Sequence, residues 1–553
     1  MVDSVDYSPG VALHTNRDRH AARESGTGSA GLDRLIAALR VPTRYPHAVE
    51  RVELLQTHIS CVLLAGDYAY KIKKPVNLGF LDFSTLAARR HYCEEELRIN
   101  RRTAPALYLE VLAISGSESA PILGGDGPAI EYALKMRRFA QDALLDGMAR
   151  RGALAPRHVD ALARSIAAFH ERAERAGPQR GYGSSAQVLA PALQNFEQMR
   201  ALVRAQADLA LLARQREWSV HEHTVLASLF DARKREGWVR ECHGDLHLGN
   251  IALLDGGPTP FDAIEFNPDL RWTDVMSDIA FVAMDLFDLC LPQLAQRFVN
   301  AYLEATGDYA GVRVLRYYLV YRALVRAKVS CLRAHQPGIA AREQSRAEEE
   351  LSRHLRLAER LATTAQPALV IMHGLSGSGK TTIACSLAQA LGAVSLRSDV
   401  ERKRLHGLPA LARSGSGLDA GLYTPAQSER TYARLADHAR AVLAARYRVI
   451  VDAAFLKRAE RDRFAELARD AGAAFLIASC TAPTATLRTR VALRAYAARD
   501  ASEAGLAVLE RQFAAAEPLT EDEAAHAMRF DAERNADAVD AAALAQRLGL
   551  NPE

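Results

Sequence analysis

His243-Gly-Asp-Leu-His-Leu-Gly-Asn250, written HGDLHLGN, decides the fold of the larger, N-terminal part of this chain. A loop that transfers a phosphoryl group needs a carboxylate to orient or deprotonate the acceptor. A few residues on, it needs a side-chain oxygen for a metal ion, a spacing written H-x-D-x-x-x-x-N. Asp245 and Asn250 meet that spacing. The next stretch, IALLDGGPTPFDAIEF, offers an apolar run, a DGGP turn and a second apolar run, so a hairpin is expected to bring Asp262 back toward Asn250. Asp262 then stands where a second metal-binding oxygen is wanted. A chance HGD in a turn is common, but the same triplet followed by Asn, a hairpin and an Asp is not.

Working outward, THISCVLLAGDYAYKIKKPV (Thr57 to Val76) reads as two strands joined at Ala65-Gly66-Asp67, and AIEYALKMRRF (Ala129 to Phe139) as another. Between them an amphipathic helix is expected from Leu86 to Arg102, and the chain beyond Arg157 is mostly helical. These residues resemble the aminoglycoside phosphotransferase and choline kinase branch of the protein-kinase-like fold, which has Gly where protein kinases have Arg in HRD. The resemblance implies a two-lobed α+β domain over about residues 31–365, with its first lobe ending near 139. It also implies Asp245 as the catalytic residue and Asn250 and Asp262 as metal ligands. In YAYKIKKPV, Lys71 lies where the family's phosphate-holding lysine is expected, and Lys73, on the same face at period two, stays open as an alternative. The partner glutamate is expected within CEEELRIN, at Glu96 first and Glu95 second; solvated surface charge is the alternative for these pairs. Asp274 and Asp278 open a helix where the family often supports its catalytic loop, although Asp274 reads equally well as a helix N-terminal charge. No GxGxxG precedes the lysine strand and no APE-ended activation loop follows Asp262, so a protein substrate is not expected.

A second site lies further on. Gly374-Leu375-Ser376-Gly377-Ser378-Gly379-Lys380-Thr381-Thr382 satisfies GxxxxGK[ST] after the apolar ALVIMH and before a helix, the context a phosphate-binding loop requires. Its backbone amides turn toward phosphate, Lys380 reaches the terminal phosphates, and Thr381 offers a hydroxyl to Mg²⁺. Val449-Ile-Val-Asp452 reads as a buried strand ending in the second metal-shell carboxylate, or in a turn cap. Arg397-Ser398-Asp399 closes another strand, placing Asp399 either to orient an acceptor hydroxyl or to cap the next helix. Arg490 and Arg494 share one face of a basic helix that closes over phosphates or is simply solvated. The segment resembles AAA-type and small P-loop kinases related to polynucleotide, zeta-toxin, gluconate and similar metabolite kinases. Strands and helices alternate from Ala368 onward, which predicts an α/β P-loop NTPase domain with a parallel sheet over residues 366–553, its boundary near Gln366-Pro367.

The bulk composition agrees with two or more domains: 553 residues, 49% hydrophobic, net charge +4. That balance carries no basic tail for nucleic acid, and no run of about 18 apolar residues suggests a membrane span. Seven scattered cysteines without metal-ligand spacing fit reduced thiols and a cytoplasmic protein. Residues 1–30, rich in Ser, Gly, Asp and Arg, read as a disordered lead-in. The whole resembles bacterial proteins described as bifunctional aminoglycoside phosphotransferase-like and ATP-binding. The expectation is an ATP- and Mg²⁺-dependent phosphotransferase acting on small hydroxyl-bearing acceptors, with neither membrane nor nucleic acid as partner. Its rivals are a nucleotide sensor and a nucleic-acid end kinase.

Overall fold

A computed structural model describes residues 29–77, 81–336, 338–414, 422, 424–497, 501–531 and 541–550. The expected lead-in falls almost wholly on residues 1–28, outside the described residues, and the helix Ser29–Leu39 takes its last two positions. The chain divides into two compact units, Met1–Leu289 with Tyr317–Ala362, and Cys290–Arg316 with Thr363–Glu553. The second unit thus includes Cys290–Arg316, which a cut at Gln366-Pro367 leaves with the first. Nothing in the local pattern of that helical segment distinguishes it from its neighbours, because what assigns it is tertiary packing.

In the first unit, strands β1 (Val52–Gln56), β2 (Ser60–Ala65), β3 (Tyr68–Lys73), β4 (Tyr108–Ser117), β5 (Ala120–Leu123) and β6 (Glu131–Arg137) form one sheet in the order β1-β2-β3-β6-β4-β5. Every pairing is antiparallel. The β2–β3 hairpin turns at Gly66, as expected; β1, β4 and β5 were not read from the sequence. Period-two alternation divides the faces. Leu63, Tyr70 and Ile72 pack with Leu32, Leu35 and Leu39 of the first helix, whereas Leu64 and Ala69 join Leu107, Leu134 and Met136 on the other side. Lys71 and Lys73 share the second side with Ala69. There the helix Leu86–Asn100, N-capped by Thr85 Oγ1 accepting from Ala88 N at 3.1 Å, buries Arg89, Cys93, Glu96 and Asn100 at helical spacing.

The rest of this unit is helical, with two short antiparallel pairs set into it. β7 (Val239–Glu241) pairs with β10 (Trp272–Asp274), and β8 (Ile251–Leu254) with β9 (Gly257–Pro260) as the expected hairpin. HGDLHLGN connects β7 to β8. The long helix Ala341–Ala362 ends just before the second unit resumes.

The second unit holds a wholly parallel sheet of β11 (Ala368–His373), β12 (Val394–Arg397), β13 (Val449–Asp452), β14 (Ala474–Thr481) and β15 (Ala527–Asp531), ordered β12-β13-β11-β14-β15. β12 is an edge strand, and an uncovered edge exposes unpaired amides and carbonyls. The helix Pro292–Thr306 covers it: Ser395 N donates to Asn300 Oδ1 at 3.1 Å, while Asn300 Nδ2 and Gln296 Nε2 donate to Ala393 O at 3.0 and 2.9 Å. Among the described residues no helix is long and apolar enough to cross a membrane.

Candidate active sites

In the first unit, Lys71 Nζ donates to Glu96 Oε1 at 2.8 Å and to Asp262 Oδ1 at 2.7 Å. Lys73, the open alternative, lies deeper: it donates to Glu96 Oε2 at 2.7 Å and to Glu265, and is 1% exposed against 13% for Lys71. Lys71 therefore meets the half-exposed Asp262, and Lys73 underpins the pair. Glu95 joins a different network, with Arg98 and Arg271. Burial opposes charge on Lys71, but Asp262, Glu96 and Glu265 outweigh it and hold the ammonium protonated. Burial likewise raises Glu96, yet the two lysines pull its carboxyl down to about 2. Glu265, pushed up by burial against the pull of Lys73, had no signal in the sequence reading beyond its position three residues after Asp262.

Asp262 is a non-glycine residue at φ 61°, a conformation that persists only when neighbours over-determine it. They do. Phe261 N donates to Asn250 O at 2.9 Å, Asp262 N to Tyr108 Oη at 3.0 Å, Ala263 N to Asn100 Oδ1 at 2.8 Å and Ile264 N to His243 O at 3.1 Å. His243 Nε2 donates to Phe261 O at 2.9 Å and its Nδ1 accepts from Asp245 N, which fixes one neutral tautomer; burial, pushing its pKa down, agrees.

The HGDLHLGN loop is held by Asp278, whose two oxygens accept from His243 N and Gly244 N at 2.9 Å each, with His170 Nε2 at 3.1 Å. Burial raises Asp278, but His170, His243 and these hydrogen bonds bring it to about 2. Asp274 plays the other role: it caps its helix through Met276 N at 2.9 Å and pairs with Arg233 at 2.6 Å. Arg322, not singled out in the sequence, donates to Gly244 O at 2.9 Å. Gly244 itself has φ 85°, and a Cβ there would stand 2.9 Å from Leu270 O, so no larger residue fits. His170, Cys242 and Asp278 bring ligand-type atoms within 4.8 Å of one another. Asp278 is committed to two backbone amides and to His170, and Cys242 Sγ donates to Thr273 O at 3.4 Å, so the trio forms a hydrogen-bonded support under the loop.

Asn250 Nδ2 donates to Asp245 O and Oδ2, both at 3.0 Å, and His247 Nε2 lies 3.5 Å from Asp245 Oδ2. Asp245 Oδ1 is buried without a hydrogen-bond partner, an acceptor left open in a residue otherwise fixed. Burial raises the Asp245 carboxyl, but His247, His243 and Arg322 hold it below its ordinary value, so it is ionised at neutral pH. With its nitrogen committed to Asp245, the Asn250 amide leaves its oxygen for a cation. Asn250 and Asp262 supply the hard oxygen ligands that Mg²⁺ takes. β1 and β2 are joined by residues 57–59 alone, where Thr57 Oγ1 accepts from Ser60 N at 2.9 Å, so a short turn stands where protein kinases carry their glycine-rich loop.

In the second unit, the helix Lys380–Leu391 starts from Gly379 at φ 82°. Gly374 has φ 138°, and a Cβ on it would reach within 2.3 Å of Cys480 O, which explains the first glycine of the loop. Leu375 packs against Leu487, Val491 and Leu509, anchoring the loop to the helix Thr484–Ala497. Lys380 Nζ donates to Leu375 O at 2.8 Å, and Thr381 Oγ1 to Asp452 Oδ2 at 2.8 Å. Ser376 N donates to Gln512 Oε1 at 2.8 Å, and Gly377 O accepts from Arg490 at 3.4 Å. Burial pushes the Asp452 carboxyl up against Arg397, Thr381 and Lys380; a cation there would restore its charge, so the Thr381 and Asp452 oxygens fit Mg²⁺. Ser376, Gly377, Lys380, Thr382, Asp399 and Arg490 line a cavity of about 830 Å³. Asp399 accepts from Arg402 at 2.7 Å, and the helix Ser398–Arg404 opens on Arg397 without a side-chain cap. The side chain of Arg494 lies outside the described residues.

Residues 92–315 match the phosphotransferase enzyme family and residues 369–519 match an AAA domain. Over 468 residues the chain is 32% identical to the uncharacterized proteins Mb2027c of Mycobacterium bovis and Rv2004c of Mycobacterium tuberculosis, across 83% of this chain and 90% of each of theirs. The chain belongs to their family. This family member joins a kinase-like phosphotransferase domain to a P-loop domain with a parallel sheet, and phosphoryl transfer is its chemistry. Among solved structures it is similar to a gluconokinase from Sinorhizobium meliloti, at 19% identity over 33% of this chain and 90% of that one, TM-score 0.23. It is also similar to a choline/ethanolamine kinase family protein from Mesorhizobium loti, at 13% identity over 60% and 99%, TM-score 0.33.

Proposed function

We propose that this protein transfers the terminal phosphate of ATP to hydroxyl groups of small molecules, and that each unit binds its own nucleotide. The observation that supports the reading is that each unit separately brings together a lysine, a carboxylate and a further side-chain oxygen: Lys71 with Asp262 and Asn250, Lys380 with Asp452 and Thr381. These sets belong to different folds, one gripping phosphate with a lysine and glutamate pair, the other with a backbone nest.

In the first unit the Asp245 carboxylate, ionised and with Oδ1 open, accepts the hydrogen of an acceptor hydroxyl and aims its oxygen at the phosphate. A carboxyl held below its usual pKa is a weak base, so Asp245 acts mainly by orienting the acceptor. Lys71, fixed by Glu96, neutralises phosphate oxygens. In the second unit Lys380 leaves the Leu375 carbonyl for the terminal phosphates, and Asp399, on the cavity wall, orients the acceptor once Arg402 yields. Mg²⁺ held by Asn250 and Asp262, or by Thr381 and Asp452, would spread the terminal phosphate charge. An unpartnered Asp245 oxygen favours transfer over a sensor, which needs no carboxylate with a spare acceptor atom.

Titration calorimetry with a non-hydrolysable ATP analogue and Mg²⁺ tests this. Two nucleotides should bind per chain, falling to one in Lys380→Ala and to one in Asp262→Ala if the lost ligand weakens that site beyond detection. A single site in the wild type that survives Asp262→Ala would remove the first unit from the reaction. A screen of hydroxyl compounds for acceptor-dependent ADP release identifies the substrates.

A further inference from the structure

One wall of the P-loop cavity is supported from a distant part of the sequence. Arg397 ends β12 in register with Asp452 on β13 and lines the cavity. Its Nε lies 3.7 Å from Asp452 Oδ2, the same oxygen that accepts the Thr381 hydroxyl. At that distance the pair attracts without a hydrogen bond, so Asp452 does not by itself define where the guanidinium stands. On the other side Arg397 Nη1 donates to Glu304 Oε1 at 3.3 Å.

Glu304 lies in the last turn of the helix Pro292–Thr306, within the stretch that matches the phosphotransferase enzyme family, yet it belongs to the second unit. That turn is itself clamped. Arg404 donates to Glu304 O and pairs with the buried Glu401. The helix ends on Gly307 at φ 76°, where a Cβ would meet the Arg404 side chain at 2.8 Å. Asn300 and Gln296 hold the preceding turns to Ala393 and Ser395 on β12, the strand that carries Arg397. The backbone that carries Glu304 is therefore fixed relative to β12 by contacts that do not involve Arg397.

We propose that Glu304 is a positioning residue of the P-loop site, holding Arg397 beside Asp452 so that its guanidinium adds to Lys380 and Arg490 as a third positive group facing phosphate. The segment Cys290–Arg316 then does more than cover a sheet edge: it sets one charge of a site whose recognisable loop lies some 70 residues later, between Gly374 and Thr382. Asn300 and Glu304 divide the work. Asn300 holds the strand, and Glu304 holds the side chain at its end. The proposal rests on the P-loop being a nucleotide site.

The test is hydrogen exchange of the full chain, read on the peptide spanning 374–391, titrated with AMP-PNP and Mg²⁺; this reports the P-loop separately from the first unit. Glu304→Gln should raise the half-protecting nucleotide concentration about threefold to fivefold, the scale of one partly exposed charge pair. Glu304→Asp should restore part of the loss. Arg397→Gln should raise the concentration at least as much, and adding Glu304→Gln to it should change nothing further, because one residue acts through the other. Asn300→Ala, on the same helix but without contact to Arg397, should shift it less. A wild-type titration in Glu304→Gln, full additivity with Arg397→Gln, or an equal shift in Asn300→Ala would overturn the positioning role. Should Glu304→Gln unfold the unit, Arg397→Lys keeps the charge and changes only its geometry; an unshifted titration there overturns the proposal as well. No protection of 374–391 in the wild type would overturn the nucleotide reading itself, and this proposal with it.

Discussion

The two candidate sites hold their lysine by opposite means. Lys71 is fixed by carboxylates 25 and 191 positions away in sequence, and its loop by an aspartate 34 and 35 positions away. Lys380 donates to a carbonyl five positions away in its own loop, and a distant carboxylate, Asp452, 71 positions on, meets the neighbouring Thr381. The first site is a tertiary construction of buried charges, and the second is a local backbone shape with a few tertiary props. The first should therefore be coupled to the stability of its unit, and the second should be separable from it.

The largest expected effect tests where the local character of the second site ends. A fragment beginning at residue 366 keeps the whole P-loop but lacks the helix Pro292–Thr306, leaving β12 an open edge, and it should aggregate while the full chain stays dispersed in sedimentation. A soluble, cooperative fragment would make that unit more self-contained than its contacts suggest.

Next in size is Asp278→Asn. Removing a buried charge that receives two backbone amides and His170 should lower stability of the first unit by about 3–5 kcal/mol, read from denaturant midpoints. Lys380→Ala should change the second unit less, by about 1 kcal/mol, because the Asp452 carboxyl it helps to hold down keeps Arg397 and the Thr381 hydroxyl. Acid sharpens the contrast. The folded Asp278 carboxyl lies at about 2, below its ordinary value, so its stabilisation is complete above the unfolded pKa and is lost as pH falls through about 2. The gap between wild type and Asp278→Asn should thus narrow below about pH 4.

Asp245→Asn should leave nucleotide binding intact and slow acceptor-dependent ADP release from the first unit by about a hundredfold or more, since the amide keeps the size but loses the charged oxygen that orients the acceptor hydroxyl. The smallest effect separates two adjacent glutamates. Glu96→Gln should raise the KM for ATP by about tenfold by loosening Lys71, whereas Glu95→Gln, which touches only Arg98 and Arg271, should change it less than about twofold. Equal effects would mean that the lysine is not held as its contacts indicate.

How far each site was legible follows from the same difference. HGDLHLGN, the hairpin to Asp262 and the P-loop are short-range patterns, and all form as read. Lys71 against Lys73 could not be separated, since both project from one strand face and both touch Glu96; their depth and their second partners, Asp262 for Lys71 and Glu265 for Lys73, distinguish them. Glu265, Arg322 and Glu304 carried no local signal at all. Each is an ordinary charged residue in sequence, and it gains a role through the element that packs against it.

The sequence by itself determined the phosphate loop, the catalytic loop, the order of the two phosphotransfer folds and the chemistry they share, because backbone turns and short spacings are encoded within a few residues. Tertiary structure alone decided which lysine meets the half-exposed Asp262, which aspartate supports the HGDLHLGN loop and which caps a helix, and that Cys290–Arg316 packs with the P-loop sheet. The physical reason is that a buried charge is defined by its partners, and those partners come from wherever in the chain the core brings them.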